Sequence, residues 1–110
     1  MVTIPIKEEH FEILSTLGDV QSGVDLALQR FAIERITVKV AELRQKDAEY
    51  QRKYGLDYPS CAARIARDED FIQHLETHID KRWESDLADW EFCHKGIEDW
   101  NRKLQRILPT

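Results

Sequence analysis

Two histidines one helical turn apart, His74 and His78 in the run HLETH, are the residues whose type and spacing come closest to doing chemistry alone. Imidazoles at i and i+4 share a helical face and can hold a zinc ion between them. The zinc-protease arrangement puts a glutamate directly after the first histidine, where it serves as the base. Here Leu75 stands in that place, Glu76 points to another side, and spacing assigns no third ligand. The pair reads as solvated histidines flanking an apolar stripe. Cys93 and His94 are adjacent, so on a helix they face different sides and do not form a nucleophile and its base. Glu84, Asp86, Asp89 and Glu91 alternate around the same helix as a solvated face, whereas paired carboxylates for acid–base work need a shaped pocket. All four glycines are isolated, so no phosphate-cradling loop is present. The expectation is no enzyme, no metal and no cofactor, with Cys61 and Cys93 as free thiols.

The elements that carry these residues are helical. Only MVTIPI, where Val2, Ile4 and Ile6 alternate with Thr3 and Pro5, has the period of a short strand. Pro5 restricts such a strand to an edge. KEEHFEILSTLG then reads as a first helix, with acidic residues in its first turns, an apolar face of Phe11, Leu14 and Leu17, and Gly18 as its stop. DVQSG reads as a turn. From Val24 to Tyr54 no proline or glycine interrupts a second helix, and Ile33, Ile36, Val40, Leu43, Asp47, Tyr50 and Tyr54 recur at the heptad spacing of a coiled-coil seam. Gly55 closes it as a left-handed cap, Asp57 or Ser60 opens a short helix over SCAARIAR, and Asp68 caps the next. Beyond Asp68, Ile72, Leu75, Ile79, Trp83, Leu87, Trp90, Cys93, Ile97, Trp100, Leu104 and Ile107 follow one another in steps of three or four. That pattern predicts one amphipathic helix of nearly 40 residues, with Gly96 as the place for a kink.

Composition sets the class. A chain of 110 residues supports one modest core, and 42% hydrophobic with 34% charged residues describes a soluble helical domain. No apolar run approaches the roughly 20 residues needed to span a bilayer, and the first residues lack the pattern of a secretory signal. The expected setting is the cytoplasm, with no membrane. Net charge is −5 and unevenly spread. Residues 68–100 hold eleven acidic against three basic side chains, while residues 37–67 hold seven basic against four acidic. A nucleic-acid binder concentrates positive charge, so nucleic acid is a weakly supported partner. The basic segment, with Arg44, Lys46, Arg52, Lys53, Arg64 and Arg67, reads first as a charge partner of the acidic helix and second as a phosphate-contacting surface.

Length makes the functional argument. A 40-residue helix is roughly 60 Å long, whereas a compact chain of about 100 residues has a radius of gyration near 13 Å. The second helix can fold back on the last one as an antiparallel hairpin but cannot cover all of it. Each buried indole removes about 150–250 Å² from water, and apolar patches of several hundred Å² mark interfaces. The stripe of Leu75, Ile79, Trp83, Leu87, Trp90, Ile97 and Trp100 is therefore the expected partner contact, made with a second copy or another protein. The fold expectation is all-α: long antiparallel helices in a helical hairpin, with a short N-terminal strand. Residues 1–110 form one domain, in which 1–36 serve dimerisation and 37–110 bind a partner.

Residues 1 to about 36, with MVTIPI, the helix ending at Gly18 and VDLALQRFAIERI, resemble the ribbon-helix-helix pattern. In that family paired strands dimerise and outward strand side chains read DNA, positions that Thr3 and Pro5 would occupy here. The stretch ERITVKVAELRQKDAEYQRKYGLDYPSCAARIARDEDF, together with WESDLADWE, is similar to segments of small prokaryotic antitoxin-like proteins. That resemblance implies an N-terminal dimerising part and a C-terminal part that binds and neutralises a cognate toxin. Two alternatives stand beside it: a ribbon-helix-helix-type DNA-binding regulator, and a structural homo-oligomer in which the last helices pair as a coiled coil.

Overall fold

The computed structural model describes residues 2–108. It contains α1 (Glu8–Leu17), α2 (Val20–Tyr54), α3 (Tyr58–Arg67), α4 (Glu69–His74), a single π-helical turn (Leu75–Ile79) and α5 (Trp83–Ile107). The molecule measures 68 × 25 × 22 Å with a radius of gyration of 21.7 Å, far above the roughly 13 Å of a compact chain this size. Its spine is the antiparallel pair of α2 and α5. Tyr54 meets Asp86, Asp47 meets Trp90, and Gln29 meets the carbonyl of Ile107. α3 and α4 fold over the closed end of this hairpin.

Capping chemistry sets the boundaries. Asp19 accepts from the Ser22 amide at 3.0 Å and from its hydroxyl at 2.8 Å, satisfying amides that the first helical turn leaves free. α2 therefore begins at Val20, not at Val24, and DVQSG is helix from its second residue. Gly55 stands in the left-handed region at φ +75°, the conformation that favours glycine. Asp57 then caps α3 through the Ser60 amide, and Asp68 caps α4 through the Phe71 amide.

Three expectations are corrected. No strand occurs among the described residues; 2–7 have no regular structure, because a strand needs a pairing partner and this fold supplies none at that end. The expected 40-residue helix is broken at Asp80–Arg82. The step sizes explain the break. Leu75, Ile79, Trp83 and Leu87 follow in three steps of four, and at 3.6 residues per turn each such step rotates about 40° off the stripe. A straight helix would carry Leu87 about 120° away from Leu75. The chain restores the stripe with the wider π turn, closed by the Asp80 amide on the Leu75 carbonyl at 2.8 Å. It restarts as α5 after Asp80, which adopts an extended conformation and accepts from the Arg82 amide at 2.8 Å. The expected kink at Gly96 is absent, since α5 runs unbroken to Ile107. A Cβ at Gly96 would lie 3.0 Å from Leu43 Cδ1, so this glycine lets α2 and α5 approach closely.

Candidate protein-interaction surface

The tryptophan stripe is mostly core. Trp90 is wholly enclosed at 0% exposure. Its ring stacks between Tyr50 and Tyr54 at centroid distances of 5.6 and 5.8 Å, and Tyr58 meets it edge-on at 5.6 Å. Its indole N–H donates to Asp47 Oδ1 at 2.7 Å. The polar residue that interrupts the α2 seam is thus the acceptor that a buried indole requires. Along the same seam, Tyr50 donates to Asp89 and Tyr54 to Asp86, both at 2.6 Å. Burial first, and these carboxylate acceptors second, push both phenols well above their ordinary value of 10.0. Burial also raises Tyr58.

The remaining stripe residues divide. Leu75 is enclosed and Trp83 nearly so, the latter donating to Glu76 Oε1 at 3.2 Å. Ile79 and Leu87 are half-buried against the same core. Ile97 and Trp100 are half-buried farther along α5, with the Lys103 ammonium 4.5 Å from the Trp100 ring centre. The chain itself thus supplies the packing partners of Leu75, Trp83 and Trp90. Phe92, on the opposite side of α5, is exposed.

Three side chains of the basic segment, Lys46, Lys53 and Arg64, pair with acidic ones. Lys53 bridges Asp80 at 2.8 Å and Asp86 at 2.6 Å, which raises the lysine and holds the Asp80 carboxyl below its usual range. Lys46 lies 3.8 Å from Asp89, and Arg64 pairs with Asp68 while lying over the Phe71 ring. His74 and His78 are exposed with ring centroids 5.2 Å apart. Among the described residues no group of three or more His, Cys, Asp or Glu side chains is placed to hold a metal ion. Cys61 and Cys93 are buried free thiols raised by that burial. His94 packs against Tyr58 instead of Cys93.

The uncovered apolar surface lies at the opposite end. α5 reaches only as far as Gln29 of α2, so residues 20–28 extend past it, and α1 folds back against them, with Leu14 next to Gly23. α1 buries no residue. Val2, Ile4, Ile6, Phe11, Ile13, Leu17, Leu26, Leu28, Phe31 and Val38 all face solvent, Leu17 at 79% and Phe31 at 64%. Between the N-terminal arm, α1 and α2 lies an open groove of about 360 Å³, lined by Ile4, Ile6, His10, Ile13, Leu14, Val24, Ala27 and Leu28. The signal for this surface was present in the sequence. Val20, Val24, Ala27, Phe31 and Val38 fall in one helical stripe on the side of α2 opposite the Ile36–Val40–Leu43 seam. A helix with apolar residues on two opposite faces has two partners, and α5 covers only one face.

In comparisons with known proteins, no family model, curated protein or solved structure matches this chain. Among the described residues no helix is long and apolar enough to cross a membrane.

Proposed function

We propose that this chain works as a non-catalytic protein-interaction module whose docking surface is the apolar end formed by residues 2–38. The observation that carries this reading is the contrast between the two ends. The aromatic cluster around Trp90 is enclosed by its own chain, while ten large apolar side chains of the other end face solvent. Four of them, Ile4, Ile6, Ile13 and Leu28, meet in one open groove, and exposed apolar surface gathered in this way marks a site of association. The Trp90 cluster then supplies rigidity, and Ile79, Leu87, Ile97 and Trp100 are the stripe residues with surface left to touch a partner.

The sequence resemblance gives the specific form of this proposal: an antitoxin that neutralises a cognate toxin by binding it. The net charge of −8 over residues 68–100 suits steering toward a basic toxin surface. Co-expression with the product of the adjacent gene tests it. The expected result is a co-purifying complex and relief of growth inhibition, both lost in Leu17→Glu and Phe31→Glu. No complex with the native chain, or a complex indifferent to both substitutions, would sink the reading.

A further inference from the structure

We infer that a second copy of this chain occupies the apolar end in the purified protein, the two copies related by a dyad. This deepens the interaction reading and rests on it. At roughly 180 Å² for a fully exposed large apolar side chain, the ten residues, spread over the N-terminal arm and several faces of α1 and α2, together leave on the order of 1,000 Å² uncovered per chain. A standard interface buries about 800 Å² per partner.

Charge identifies the occupant. Around α1, Glu8, Glu9 and Glu12 stand against Lys7, a net −2; around Phe31 and Val38 of α2, Arg30, Arg35 and Lys39 stand against Glu34 and Glu42, a net +1. None of these nine side chains has an ion-pair partner among the described residues. Within one chain, α1 covers α2 only near Gly23 to Leu28 and leaves Phe31 and Val38 bare. The surface therefore carries an acidic apolar half and a basic apolar half, each uncovered. A surface that holds both complements is satisfied by its own copy in a closed two-fold arrangement. The α1 end of each chain covers Phe31 and Val38 of the other, and the opposite charges meet twice.

The test is a charge-reversal mixing experiment on the full chain, read by light scattering and analytical ultracentrifugation at about 100 µM. The native chain is expected at twice its 13.0 kDa. One variant carries Glu8→Lys, Glu9→Lys and Glu12→Lys; the other carries Arg30→Glu, Arg35→Glu and Lys39→Glu. Each alone sets like charges against one another and runs as a monomer, while an equimolar mixture restores the dimer mass. Phe31→Glu is monomeric with unchanged helical circular dichroism, which separates lost association from lost folding. A monomeric native chain, or homodimers of both variants at native strength, overturns the proposal. If the native monomer still binds anilinonaphthalene sulfonate and Phe31→Glu does not, the dimer fails while the docking surface stands.

Discussion

Replacing Trp90 with phenylalanine removes one N–H donor and part of an indole from the most enclosed point of the molecule, and the geometry there yields a magnitude. The lost bond is a 2.7 Å contact to a carboxylate, and hydrogen bonds to charged groups contribute about 1.5–3 kcal/mol. The smaller ring leaves unfilled volume between Tyr50 and Tyr54, which costs about 1–2 kcal/mol more. The sum is about 2.5–5 kcal/mol, a large part of the roughly 5–15 kcal/mol that stabilises a domain. At about 4 °C per kcal/mol for a chain this size, the melting temperature falls by about 10–20 °C. Asp47→Ala alone leaves the indole N–H buried without an acceptor, at about 1–3 kcal/mol. The double variant has no orphaned donor, so its loss is smaller than the two single losses added, by about 1–2 kcal/mol. Any helix-propensity gain from alanine at position 47 occurs in both backgrounds and cancels. Urea titration followed by circular dichroism measures all four chains, at one protein concentration because association shifts apparent stability. Additivity within about 0.5 kcal/mol would refute the claim that Asp47 is in the seam to serve Trp90.

Other expected outcomes follow from the same geometry. Gly96→Val drives a branched side chain at Leu43 Cδ1, already 3.0 Å from an ideal Cβ, and costs about 1–3 kcal/mol. That penalty shrinks in a Leu43→Ala background, and an equal penalty in both would show that the close approach is not the cause. Tyr50, Tyr54 and Tyr58 all have raised phenols; the stability they contribute is full below pH 10 and lost as pH rises beyond it. No tyrosinate absorbance should therefore appear near pH 10 until the chain unfolds, and an early native titration would contradict the burial. Asp19 is lowered first by the Ser22 hydroxyl, Asp57 first by the Ser60 amide, and Asp80 first by Lys53. Their contribution is present above the ordinary carboxylate value of 3.8 and lost as pH falls below it. Melting temperature should be level above about pH 5 and fall below about pH 4, less steeply in Asp57→Asn, which keeps the cap without the titration; an unchanged slope would contradict the cap's role.

Much of this molecule was legible without coordinates. Left-handed Gly55, a cap at Asp57 or Ser60, the cap at Asp68, the long second helix and the alignment of Trp83, Trp90 and Trp100 with Leu87 and Cys93 are local consequences of residue type and period. Local rules suffice there because each depends on neighbours within a turn or two. The candidate surface was less legible, since the tryptophan stripe drew notice by residue size and the second stripe, Val20 to Val38, is spread thinly around polar positions.

What the sequence by itself determined was therefore the helical content, the closing glycine at position 55, the cap at Asp68 and the alignment of the apolar stripe, all written at helical spacing, while which chain buries that stripe was left to the tertiary structure. Tertiary structure decided what a list of allowed steps does not contain. Three successive steps of four were each acceptable, yet their accumulated rotation forced the π turn and the break before Trp83. The role of Asp47, and the reason for glycine at position 96, appeared only when residues 43 and 53 positions apart in the chain came into contact. The location of the exposed apolar end was likewise decided by where α5 stops against α2, because coverage is a property of two elements and their register, not of either sequence alone.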